Sequence, residues 1–230
     1  MSGETPEWFW LTLFLLGAYH GINPGMGWLF AVALGMQEKS GRAVARALIP
    51  LGIGHALAVG AVVGLMGLAR IVLPLAALRI IAAAILFVFG LYFLLRKKHL
   101  SWGGMRVGFG DLALWGFLMA SAHGAGLMIL PVLFGAMGDG SPAGAAAAHH
   151  EMPHGMPQAI PMTALTGPPG LWIGLGVVAV HLAGYLVIAG LAAWIVYAKL
   201  GLALLRTAWI NLDLAWAVAL VASSILVILL

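Results

Sequence analysis

Gly17-Ala18-Tyr19-His20-Gly21-Ile22-Asn23-Pro24-Gly25-Met26-Gly27-Trp28 interrupts an apolar run that extends from Trp8 to about Met36. The run is longer than the roughly 20 residues that a helix needs to cross a bilayer core. Asn23 is a good N-cap, and Pro24 suits the first helical position, where its missing N–H costs nothing. The spacing therefore predicts one helix ending near Gly21 and another starting at Asn23. Non-helical backbone at membrane depth is tolerated only where it is buried in protein or lines a cavity. The interruption thus marks a candidate site, with His20 and Asn23 as its polar side chains.

Composition sets the class. Of 230 residues, 63% are hydrophobic and 8% charged, and the mean hydropathy is +1.07. Soluble domains do not reach such values, so an all-α integral membrane protein is expected. Cysteine is absent, which excludes disulfides, thiolate metal sites and dithiol redox chemistry. No phosphate loop, nucleotide motif or nucleophile-base pair is present. Ser121 and His123 come closest, but two residues apart on a helix they face different ways. An enzyme is therefore not expected, nor an ATP-driven pump from this chain alone. The acidic start, Met1 to Glu7, lacks a signal peptide's basic region, so the first apolar segment is expected to be retained.

Six spans are expected: about Trp8 to Met36, Ala45 to Ala69, Ile71 to Leu95, Asp111 to Met137, Gly170 to Ala198 and Thr207 to Leu230. The join at Arg70, Pro74 and Arg79 is the least marked, and a re-entrant turn there is the alternative. Lys39, Arg42, Arg46, Arg96, Lys97, Lys98, Arg106, Lys199 and Arg206 fall on one side, and only Arg70 and Arg79 on the other. The positive-inside rule then places the basic loops in the cytoplasm and both termini outside. The net charge of +4 speaks for orientation in a lipid bilayer and not for nucleic acid. Asp213 and Arg79 read as membrane-edge residues on opposite sides, and Asp111 as the start of the fourth span.

The halves resemble one another. Residues 1–98 carry the first three spans, 99–110 a cytoplasmic connector, and 111–230 the other three, with an external loop at 139–169. His20-Gly21 aligns with His123-Gly124, and the next span of each half holds one histidine, His55 and His181. Because three spans is an odd number, the second copy enters the membrane from the opposite side. Such inverted repeats are the build of many secondary transporters, whose substrate sites lie near the midplane on broken helices. Each of the four histidines lies about 15 to 20 Å into its span, at 1.5 Å per residue. All four share one depth.

Ionisable residues inside a bilayer are costly and mark function by default. Four midplane imidazoles, with the Asn23 amide and the Met26 thioether, form a candidate transition-metal site, and neutral imidazole could exchange metal for protons. The plainer reading is that each histidine only bonds a neighbouring helix. Four at one depth, in repeated positions, favour a site. The external loop holds His149-His150-Glu151-Met152-Pro153-His154-Gly155-Met156, which reads either as a metal-collecting tether or as a proline-rich linker.

His20-Gly21-Ile22-Asn23-Pro24-Gly25-Met26-Gly27 resembles the first-span motif of the nickel/cobalt efflux family (NicO or RcnA type), within the lysine-exporter superfamily. His55 looks like that family's second-span histidine. The resemblance implies a six-span bacterial inner-membrane carrier of transition-metal cations, with His20 and His55 as site residues. The family's acidic residue is Asn23 here and its second histidine is Met26. A neutral, thioether-bearing site favours a softer ion such as Cu(I), or a cargo that is not a metal. The expectation is an exporter of Ni, Co, Cu or Zn using His20, His55, His123 and His181. The alternatives are a haem-bearing electron carrier and an exporter of small organic solutes.

Overall fold

A computed structural model describes residues 7–95, 108–137, 168–200 and 212–229. The described residues form helices and turns without strands. Helix α1 (Glu7–Ile22) stops at the predicted interruption. Asn23 is a cap, its Oδ1 accepting from the Gly25 N–H at 2.8 Å, and Pro24 opens the turn that follows. That turn is a short 3-10 segment, Pro24–Met26, rather than the long helix expected there. Gly27 adopts φ 106°, a left-handed conformation that glycine enters without a Cβ penalty. Only then does α2 (Trp28–Gln37) begin.

Helix α3 (Gly41–Val72) contains Pro50 and continues through it, losing one bond to the Arg46 carbonyl. Leu73 and Pro74 separate it from α4 (Leu75–Leu95). Two long helices therefore stand where a re-entrant turn was the alternative. The fourth apolar segment divides into α5 (Phe109–Ala122), a 3-10 turn at Leu127–Ile129, and α6 (Leu130–Met137). The two helices are bent by 48° across this break. A second broken helix was not expected, because Pro131, in the first turn of α6, lies past the break and no proline stands at the bend itself to announce it. Gly124, at φ 68°, does so instead. Helix α7 (Pro168–Ile195) closes in a π-helical turn, Val196–Leu200, and α8 (Leu212–Leu229) ends the described chain.

Packing crosses between the halves. Helix α1 lies along α7, α3 along α5 and α4 along α8, and α3 also meets α7. The first two contacts are close because glycine lets backbones touch. A Cβ at Gly17 would overlap the His181 carbonyl, and one at Gly184 the Phe14 carbonyl. On the other pair, a Cβ at Gly54 would overlap the Ala113 carbonyl, and one at Gly116 would come 2.5 Å from that of Leu51.

The outer surface is apolar, with Leu57, Leu65, Val72, Ile80, Leu95 and Trp172 all exposed, whereas His20, Asn23, His55, His123 and His181 are buried. Polar inside and apolar outside is the arrangement a lipid solvent favours. Among the described residues, three helices are long and apolar enough to cross a membrane, or four if α5 and α6 form one span. Trp28–Gln37 and Leu220–Leu229 are shorter apolar helices.

Candidate functional site

His20, His55 and His181 meet, and His123 lies within electrostatic reach of His20. His20 sits in the last turn of α1, His55 within α3 and His181 within α7. Their ring centroids are 5.7 Å apart for His20 and His55, 5.1 Å for His20 and His181, and 5.3 Å for His55 and His181. All three are at least 99% buried. Gly17 and Gly184 make this possible: the α1 backbone rests on that of α7, which brings residues one turn away on each helix within ring contact.

Two of the imidazoles have a fixed tautomer. His20 Nδ1 lies 2.7 Å from the Leu16 carbonyl oxygen, and His123 Nδ1 lies 2.9 Å from that of Met119. A carbonyl only accepts, so Nδ1 carries the proton in both rings and the lone pair is on Nε2. Metal-binding histidines are oriented in this way, donating the other N–H to a carbonyl or carboxylate. The two bonds are alike in span, each reaching four residues back at the end of a broken helix. His123 is buried at the C-cap of α5.

The remaining polar atoms are less settled. His55 Nε2 and Asn23 Nδ2 are buried without a hydrogen bond, and the two ring nitrogens of His181 are buried beside the Leu13 backbone. A buried polar group left unsatisfied costs about 1–3 kcal/mol, and structures carry few of them. Two of these side chains, His55 and His181, belong to the triangle of rings.

Three imidazoles on one tetrahedral ion, with metal–nitrogen distances of about 2.0–2.1 Å, place their ring centroids roughly 5 Å apart. The observed separations match that spacing. The ring orientations do not, because His55 and His181 are stacked with planes within 9° of parallel, and lone pairs confined to two separate parallel planes do not converge on one point. Accordingly, no group of three or more His, Asp or Glu among the described residues is arranged to hold an ion as it stands. An ion shared by the three rings would require at least one of them to turn about its Cβ–Cγ bond.

Met26 is buried beside the triangle's turn, and its carbonyl accepts from the Tyr185 hydroxyl at 2.9 Å. The Gly25 carbonyl accepts from Trp115 Nε1 at 3.1 Å, and the Ile22 carbonyl from Trp28 Nε1 at 3.3 Å. Tyr185 was not singled out in the sequence, yet its ring stacks on His55 at 4.2 Å and 1°. The signal was available, because Tyr185 follows His181 by four residues and shares its helix face. His149, His150, Met152, His154 and Met156 of the long loop lie outside the described residues.

Comparison of the chain with protein-family models, with curated proteins and with solved structures finds no match.

Proposed function

We propose that the chain is a multi-pass membrane carrier that moves a transition-metal cation by alternating access, outward and in exchange for protons. The observation that carries this reading is the buried triangle of His20, His55 and His181, spaced as ligands of one ion are spaced. The carbonyl-bonded Nδ1 atoms of His20 and His123 support it, since they leave Nε2 as the donor to a cation. So does helix polarity: His20 lies in the last turn of α1 and His123 caps the end of α5, and a helix C-terminus carries partial negative charge that favours a cation. Neutral imidazoles with the Met26 thioether suit Cu(I), while imidazoles alone also suit Ni, Co or Zn.

Six spans in two inverted repeats belong to this proposal. Their support is the exchange of partners between halves, α1 with α7 matching α5 with α3, and α4 pairing with its counterpart α8. A two-fold relation would make His20 equivalent to His123 and His55 equivalent to His181. If the halves trade conformations between the inward and outward states, His123 replaces His20 around a shared His55–His181 pair, and one site acquires two openings. Membership of the nickel/cobalt efflux family, the inner-membrane location and external termini are part of the same proposal.

The test is alanine substitution of His20, His55, His123 and His181 in turn. Metal uptake into inverted vesicles and elemental analysis of the purified protein are then compared with the parent. Each substitution is expected to lower transport by about 10- to 100-fold. Undiminished transport in all four variants would sink the proposal.

A further inference from the structure

Tyr185 occupies a junction that the histidines alone do not explain. Its side chain is fully buried. One end of it, the ring, lies flat on His55 at 4.2 Å. The other end, the hydroxyl, donates to the Met26 carbonyl at 2.9 Å. Met26 closes the 3-10 turn just before the left-handed Gly27, where the chain passes from α1 into α2. The Tyr185 backbone is also seated against α1 on both sides of His20. A Cβ at Gly21 would come 2.6 Å from its carbonyl oxygen, and one at Gly17 would come 3.0 Å from its nitrogen.

We infer that Tyr185 is a positioning residue that transmits cation binding from His55 to the helix break. The inference rests on the cation reading of the triangle. As described, the His55 ring lies parallel to both Tyr185 and His181, an orientation that does not aim its lone pair at a point shared with His181. To ligate an ion, His55 or His181 must turn. Turning His55 lifts it off the tyrosine face, and the tyrosine is fastened through its hydroxyl to the turn. Loading the site therefore strains or releases the Tyr185–Met26 bond. The strain falls on a 3-10 turn, a segment with poorer hydrogen-bond geometry than an α-helix. Trp115 braces the same turn one residue earlier, through the Gly25 carbonyl, and serves as the comparison.

The experiment uses the full chain in proteoliposomes and in detergent, with Co²⁺ and Cu⁺ as the probes. Binding to the parent protein is measured first. No binding of either ion overturns the cation reading and the coupling with it. Given binding, Tyr185→Phe keeps the stacked ring and removes only the hydroxyl. Its Kd is expected to stay within about threefold of the parent, while transport falls about tenfold, because a buried hydrogen bond to the moving turn is lost. In a His55→Ala background the same substitution is expected to add no further loss. Trp115→Phe is expected to slow transport by the same factor in the parent and in the His55→Ala background, as a brace independent of His55 does. Parent-like transport in Tyr185→Phe, or an equal loss with and without His55, overturns the coupling alone. If the variant does not fold, hydrogen exchange on the unaltered protein decides the matter. Cation addition is expected to change exchange of the amides of Asn23 to Phe30, and unchanged exchange overturns the inference.

Discussion

Gly17→Ala offers a direct test of how the histidine triangle is assembled. The added methyl would overlap the His181 carbonyl oxygen and sit 2.9 Å from its carbonyl carbon. Every nearby atom is backbone, so no side chain can swing aside. Relief requires α1 and α7 to separate by on the order of 1 Å, at a cost of about 1–3 kcal/mol for an overpacked contact. The same movement carries His181 away from His20, from which its ring now lies 5.1 Å. Misplacing a ligand by about 1 Å costs on the order of 100-fold where geometry is exacting. The expected outcome is cation affinity lowered about 10- to 100-fold, measured by competition with a chromophoric chelator, with a lower melting temperature in detergent. Gly64→Ala on α3 is the control, since no heavy atom lies within 4 Å of its added methyl. Binding by Gly17→Ala that matches Gly64→Ala would refute the view that the glycine contact sets the spacing of the rings.

Other outcomes follow from the same geometry. Asn23→Leu removes the acceptor for the Gly25 N–H and should lower thermal stability by about 1 kcal/mol, the usual worth of a cap. Gly27→Ala places a Cβ at φ 106° and against Leu51. It should cost at least about 1–2 kcal/mol, seen as a lower melting temperature or lower yield. Arg46→Ala breaks an exposed pair with Glu38 and should shift stability by less than about 1 kcal/mol, leaving transport unchanged. Purified protein is expected to show no Soret absorption; a Soret band would favour the haem alternative.

Sequence and structure agree where local chemistry dictates the outcome. Asn23-Pro24-Gly25 announces a break because a cap, a fixed φ and a flexible residue coincide, and α1 does end at Ile22. The meeting of His20, His55 and His181 was foreshadowed by their similar positions along three apolar segments. The break after His123 was not foreseen, because the positive φ of Gly124 cannot be told apart among 32 glycines, and Pro131 lies past the bend, in the first turn of α6. Tyr185 was passed over for another reason: an aromatic residue in an apolar helix is ordinary packing until its hydroxyl is seen to have a distant partner. The parallel stacking of His55 on His181 and Tyr185 depends on side-chain torsions, on which periodicity is silent.

The crossed pairing of helices bears on how such a chain is made. Helix α1 leaves the ribosome well before α7, on which it chiefly rests and whose sequence begins more than 140 residues later. Until α7 arrives, α1 and its histidine have no permanent neighbour on that face, and α5 instead takes its place on α3. Neither half, synthesised by itself, would contain the surfaces that its own first helix needs. Two fragments cut between α4 and α5 should be inert apart and should regain function when made together. Whatever likeness the halves bear in sequence order, the unit that folds is the interlocked whole.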